Sequence, residues 1–238
     1  MNKLFAVSVG SLLVSAAAIP AMAGSQTVDY VDWNSDAVAG GAGAVFGTLS
    51  GGVNVTYTGE VEFDQLNNTG TYYYTGPSGI PGTGTEYTSN PLIANTPSTS
   101  DMIAIQDVVG VVDTFTFSKP VVNPVMLLVS LGQPSVLTTY FFNTPVSILS
   151  DGAGWWGGPG TLLHPGGNLD AVQGIEGDGA VEFLGSYTSI SFTTDNPESW
   201  NGFTLGVAGA SGVPDGFSSA WLLSGAMLGL GFIKRKLS

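Results

Sequence analysis

The sequence predicts an all-β fold: a single jelly-roll-like β-sandwich, framed by an N-terminal signal peptide and a C-terminal transmembrane helix. Three observations predict it. Short stretches alternate apolar and polar residues, the period of a half-buried strand. Gly, Pro and Asn punctuate nearly every interval between them, as tight turns require. No stretch inside the domain carries a sustained apolar stripe at helical spacing. Composition agrees, with 35 Gly in 238 residues and only 10% charged residues.

The leader comes first. Met1-Asn2-Lys3 supplies a positive start, Leu4 to Ala18 an apolar stretch, and Pro20 a helix break. Ala21-Met22-Ala23 is a small-x-small site, so residues 1–23 read as a signal peptide cleaved between Ala23 and Gly24. Export then implicates the export machinery and a signal peptidase as partners. Cysteine is absent, so no disulfide framework supports the exported fold and core packing must do so.

Residues 24–209 read as the β domain. Val53-Asn54-Val55-Thr56-Tyr57-Thr58, Thr188-Ser189-Ile190-Ser191-Phe192-Thr193 and Gly202-Phe203-Thr204-Leu205-Gly206-Val207 all alternate. Glu60-Val61-Glu62-Phe63-Asp64 continues the first of these after Gly59. Longer apolar runs at Val108–Phe117, Val121–Leu131 and Val136–Phe142 suit central strands buried on both faces. Gly76 to Ser100 reads as a long surface loop, and Ser150 to Gly167 as a Gly-rich loop around Trp155-Trp156.

Charge is distributed unevenly. Residues 24–212 hold 17 acids against one base, Lys119. Such a surface repels phosphate backbones, so nucleic acid is excluded as a partner. It suits solubility outside the cell.

The last 29 residues, 210–238, read as a sorting tail. Val213-Pro214-Asp215 comes first, then a charge-free apolar run over 217–233, then Lys234-Arg235-Lys236. Pro214 holds Val213 extended. The 17 apolar residues span about 25 Å as a helix, and basic ends that snorkel cover the rest of a bilayer core. Basic flanks stay on the cytoplasmic side, which puts the domain outside. This order resembles the PEP-CTERM sorting domains of exported bacterial proteins, closest to their Val-Pro-Asp variant, with Gly216-Phe217 where that variant usually has small polar residues. The resemblance implies an exosortase-like membrane protease as partner, with Val213, Pro214 and Asp215 as the processing motif. It also implies membrane anchoring, then delivery to the cell surface or extracellular matrix. The other reading of the same residues is an ordinary C-terminal anchor. Ser189-Ile190-Ser191-Phe192 through Trp200 to Val207 resembles, more weakly, the exported β domains that often precede such tails. No activity comes with that likeness.

Chemistry is sparse. With no Cys and no Gly-x-Ser-x-Gly elbow, a nucleophilic triad would need the lone histidine, His164. No catalytic residue and no enzyme activity are expected. Glu60, Glu62 and Asp64 would share a strand face, a pairing that a polysaccharide-active hydrolase could use and a solvated face would also explain. No metal site or cofactor is expected. Calcium is the ion that Asp107, Asp113, Asp151, Asp170, Glu176, Asp178 and Asp195 would suit best. Aromatics offer the better binding case: Trp155, Trp156, Tyr72 and Tyr74 are candidate carbohydrate contacts, since flat rings stack on sugar C–H faces. The leading expectation is therefore a non-enzymatic surface or matrix protein. An exopolysaccharide-binding module is the alternative, and a hydrolase the second.

Overall fold

The structure, a computed structural model, describes residues 26–77 and 84–208. The signal peptide with Ala23 and Gly24, and the sorting tail with Val213, Pro214, Asp215, Lys234, Arg235 and Lys236, lie outside the described residues. No helix among the described residues is long and apolar enough to cross a membrane.

Two antiparallel sheets pack face to face as a β-sandwich. The strands are β1 (Val28–Tyr30), β2 (Asp32–Ala39), β3 (Ala42–Leu49), β4 (Val53–Glu60), β5 (Phe63–Gln65), β6 (Met102–Ile105), β7 (Asp113–Val122) and β8 (Pro124–Leu131). There follow β9 (Thr138–Phe142), β10 (Ser147–Ala153), β11 (Thr161–Leu163), β12 (Ala171–Ile175), β13 (Gly177–Glu182), β14 (Ser186–Asp195) and β15 (Asn201–Ala208). One sheet has the order β10-β13-β8-β15-β6-β5, with β1 also pairing β15. The other has the order β11-β12-β9-β14-β7-β4-β3-β2.

The alternating stretches form strands as expected. In β4, Val55 and Tyr57 point into the core while Asn54 and Thr58 face out. In β14, Ile190, Phe192 and Thr194 are buried at every second position. Strand β8 is buried at all eight positions, which explains the continuous apolar run there. Met126 and Leu128 enter the core between the sheets, and Val125, Leu127 and Val129 enter a second core on the outer face.

The second core corrects the reading of Gly76 to Ser100 as a surface loop. From Gly84 on, this stretch lies over the outer face and buries Tyr87 and Ile93. It contains one short helix, α1 (Thr85–Thr88). Asparagine side chains hold it down: the Val28 amide donates to Asn95 Oδ1 at 2.7 Å, and the Leu92 and Ile93 amides donate to Asn90 Oδ1 at 2.9 and 2.8 Å. Side-chain amides and a single backbone bridge between Gln26 and Ile93 stand in for a longer ladder here, so no apolar period marks the stretch as buried.

Two further expectations change. Residues 108–112 are not strand: Gly110 turns at φ +91°, and Val108, Val109 and Val112 are exposed. Glu60, Glu62 and Asp64 do not share a strand face. Strand β4 ends at Glu60, and the chain crosses to the other sheet before β5 begins at Phe63.

Candidate functional site

The Gly-rich stretch presents Trp155 and Trp156 as the two central residues of a β-turn, closed by the Gly157 amide donating to the Gly154 carbonyl at 2.9 Å. The turn is fixed from below. The Gly154 amide donates to Asp178 Oδ2 at 3.2 Å, and a Cβ on Gly154 would meet that carboxyl carbon at 2.0 Å. Asp178 is itself held by the Tyr87 hydroxyl, which donates to Oδ1 at 2.7 Å. Burial, opposed by that hydrogen bond and raised further by nearby Glu86, pushes the Asp178 carboxyl up to about 8.

Over this turn sits an aromatic cluster drawn from four parts of the chain. Tyr73 stacks on Trp156 with ring centroids 5.1 Å apart and planes at 21°. Trp155 meets Tyr73 edge-on at 5.5 Å, and Trp200 meets Trp156 edge-on at 5.0 Å. Phe63 closes on Trp200 at 4.9 Å. Trp156 remains 49% exposed. Tyr73 stacks on one of its faces and Trp200 meets it edge-on, so part of the side chain stays open to solvent.

The tyrosines divide differently from the sequence reading. Tyr74 is fully buried, and its hydroxyl donates to the Asp101 carbonyl at 2.9 Å, so it has no surface for a sugar. Tyr72 is half-buried, and its hydroxyl donates to the Pro97 carbonyl at 2.7 Å. The residue between them, Tyr73, joins Trp155 and Trp156 instead. Tyr73, Trp200 and Phe63 were missed as site residues. The tyrosine triplet was the one available signal; nothing local marks Trp200 or Phe63, which reach the cluster through the sheet order.

A separate polar network occupies one end of the sandwich. The Asn201 amide donates to Asp107 Oδ2 at 2.5 Å and to Glu198 Oε1 at 2.9 Å, and accepts from the Tyr140 hydroxyl. Glu198 Oε1 also accepts from the Gly132 amide at 2.7 Å. Glu60 accepts the Gln106 and Val108 amides, each at 2.9 Å. Asp113 accepts the Tyr57 hydroxyl at 2.5 Å and the Glu60 amide at 2.8 Å. Burial raises Asp107 to about 9, with the charges of Glu198 and Glu60 adding to it. Burial likewise raises Glu198 to about 7 and Asp113 to about 6. These acids stitch loops together, which is a structural use.

The remaining candidates are dispersed. Asp151 Oδ2 accepts the Leu162 amide, Asp195 Oδ1 accepts the Thr139 amide, Glu176 accepts the Ser130 hydroxyl, and Asp170 is exposed. Among the described residues, no three acids or histidines converge in a metal-holding group. His164 Nδ1 faces the Ala171 carbonyl at 2.8 Å and so carries the proton. It lines a shallow cleft of about 380 Å³ with Leu169, Leu184 and Tyr187. Comparison with protein-family models, with curated proteins and with solved structures finds no match to this chain.

Proposed function

We propose that this chain is a non-enzymatic exported protein of the cell surface or extracellular matrix, holding polysaccharide on its aromatic cluster. One observation carries the binding part: Tyr73 stacks on Trp156 at the tip of a turn, and Trp156 stays 49% exposed. An indole held by two other rings, Tyr73 and Trp200, loses little freedom when a sugar stacks on it, so the cost of ordering the contact is low. Glu60, the acid a hydrolase would recruit, accepts backbone amides on both oxygens, which favours the non-catalytic reading. A single platform gives weak contact with one sugar ring, and many copies on one surface would raise retention through avidity.

Delivery is the second part of the proposal. A signal peptide over 1–23 exports the chain; the PEP-CTERM-like tail over 210–238 anchors it and offers Val213-Pro214-Asp215 to an exosortase-like protease. The sandwich between them is read as jelly-roll-like.

Each part has its own test. Pro214→Ala with Asp215→Ala leaves unprocessed protein in the membrane fraction, read by mass spectrometry of the mature C-terminus. Unchanged processing removes the sorting motif. Trp155→Ala with Trp156→Ala releases the protein from cell-surface polysaccharide; full retention removes the aromatic cluster as the binding site.

A further inference from the structure

Accepting the aromatic cluster as a sugar platform, we propose that it takes an uncharged glycan and rejects chains bearing uronate or sulfate. The choice is set by what surrounds the rings. Asp178 and Glu86 lie beneath the Trp155–Trp156 turn: Asp178 accepts the Gly154 amide, and a Cβ on Gly152 would meet Glu86 Cβ at 2.8 Å. Glu176 flanks the turn, since a Cβ on Gly158 would lie 3.0 Å from its side chain. The groups next to the platform are thus carboxyls.

No cation offsets them among the described residues. The lone lysine, Lys119, lies on β7 in the opposite sheet and donates to the Gly51 carbonyl at 3.3 Å. It stands six residues along β7 from Asp113, about 20 Å of extended strand, and Asp113 belongs to the sandwich end that also holds Glu198 and Asn201. A uronate carboxylate stacked on Trp156 would give up water, meet no Lys or Arg, and feel the field of a strongly acidic domain. A neutral hexose meets none of these costs. Its C–H face covers the ring, and its hydroxyls stay in water or bond to the surrounding carboxyls.

The test uses the full-length chain in a zwitterionic detergent without a sugar headgroup, with EDTA present. Tryptophan fluorescence is titrated with cellohexaose, laminarihexaose, mannohexaose and xylohexaose, and in parallel with hexagalacturonate and hexamannuronate. The expected result is binding to at least one neutral hexamer, weakened at least about tenfold by Trp156→Ala and largely kept by Trp156→Phe. Both uronates bind at least about tenfold more weakly at 10 mM salt, and the gap narrows at 500 mM as the field is screened. Trp156-dependent uronate binding as tight as neutral binding overturns the charge selection and leaves the carbohydrate reading standing. Absence of Trp156-dependent binding to every hexamer overturns both.

Discussion

Raising the pH from 5 to 9 lowers the thermal stability of this protein by about 10 °C, the direction opposite to ordinary acid denaturation. The cause is a set of buried carboxyls whose pKa values are raised in the folded state: Asp113 to about 6, Glu198 to about 7, Asp178 to about 8 and Asp107 to about 9. In the unfolded chain the same groups titrate near 4. Between those limits the folded state binds more protons than the unfolded state, so stability falls as pH rises. It is fully present below about pH 4 and is lost progressively to about pH 9, and because Asp107 and Glu198 interact in one network their contributions do not add. A few kcal/mol in a domain of this size moves the melting temperature by about 10 °C. Asp107→Asn supplies the uncharged shape directly and flattens the curve between pH 7 and 9. A melting temperature that stays level or rises from pH 5 to 9 would contradict the account.

Asn201→Leu destabilises the fold by about 3–5 kcal/mol, the range for breaking a buried polar network at one partner. Its amide is the shared donor to Asp107 and Glu198 and the acceptor for Tyr140. Leucine keeps the approximate volume and removes all three links, leaving a buried hydroxyl and two buried carboxyls short of partners. The loss grows at high pH, because the two carboxylates then face each other without the amide between them. Denaturant titrations at pH 5 and pH 8.5 measure both effects. A loss below about 1 kcal/mol at both values would show that the amide joins these groups without holding them.

How much of this was legible depends on which physical signal each region carries. Strands with one face in the core announce themselves by period two, as β4 and β14 do. Of the run at Val121–Leu131, Pro124–Leu131 is buried on both faces as read, while Val122 is exposed and Asn123 turns between two strands; the stretch that covers the outer side of β8 is the one read as exposed. That stretch is pinned by Asn90 and Asn95, whose side chains bond backbone groups and leave no repeating pattern. The valines at 108–112 misled because an apolar run looks alike in a strand and in an exposed loop; only Gly110 inside the run argued for a turn. Glu60 to Asp64 misled for another reason. Alternation continues unbroken across a crossing between sheets, so periodicity cannot register it. At the candidate site, Trp155 and Trp156 were legible from their Gly-rich setting. Their support was not, because Tyr73, Trp200 and Phe63 come from three distant stretches joined through sheet order. The buried acids were visible as residues, yet nothing local distinguishes a solvated aspartate from one sealed beneath a loop.

Strand β15 gives the sandwich a mechanical polarity. It starts at Asn201, beside Trp200 and the aromatic platform, and ends at Ala208, at the opposite end of the sheet. A polymer held at Trp156 and an anchor beyond Ala208 would pull on opposite ends of the same sheet. The tension would run along the strands, crossing from β10 through β13 and β8 to β15, which are neighbours in that order. Pairs from Gly202↔Val129 to Val207↔Pro124 would then bear the pull together in shear, instead of opening one after another as in a peeled hairpin. With no disulfide in the chain, this shared loading is what the fold offers against a pull along its strands.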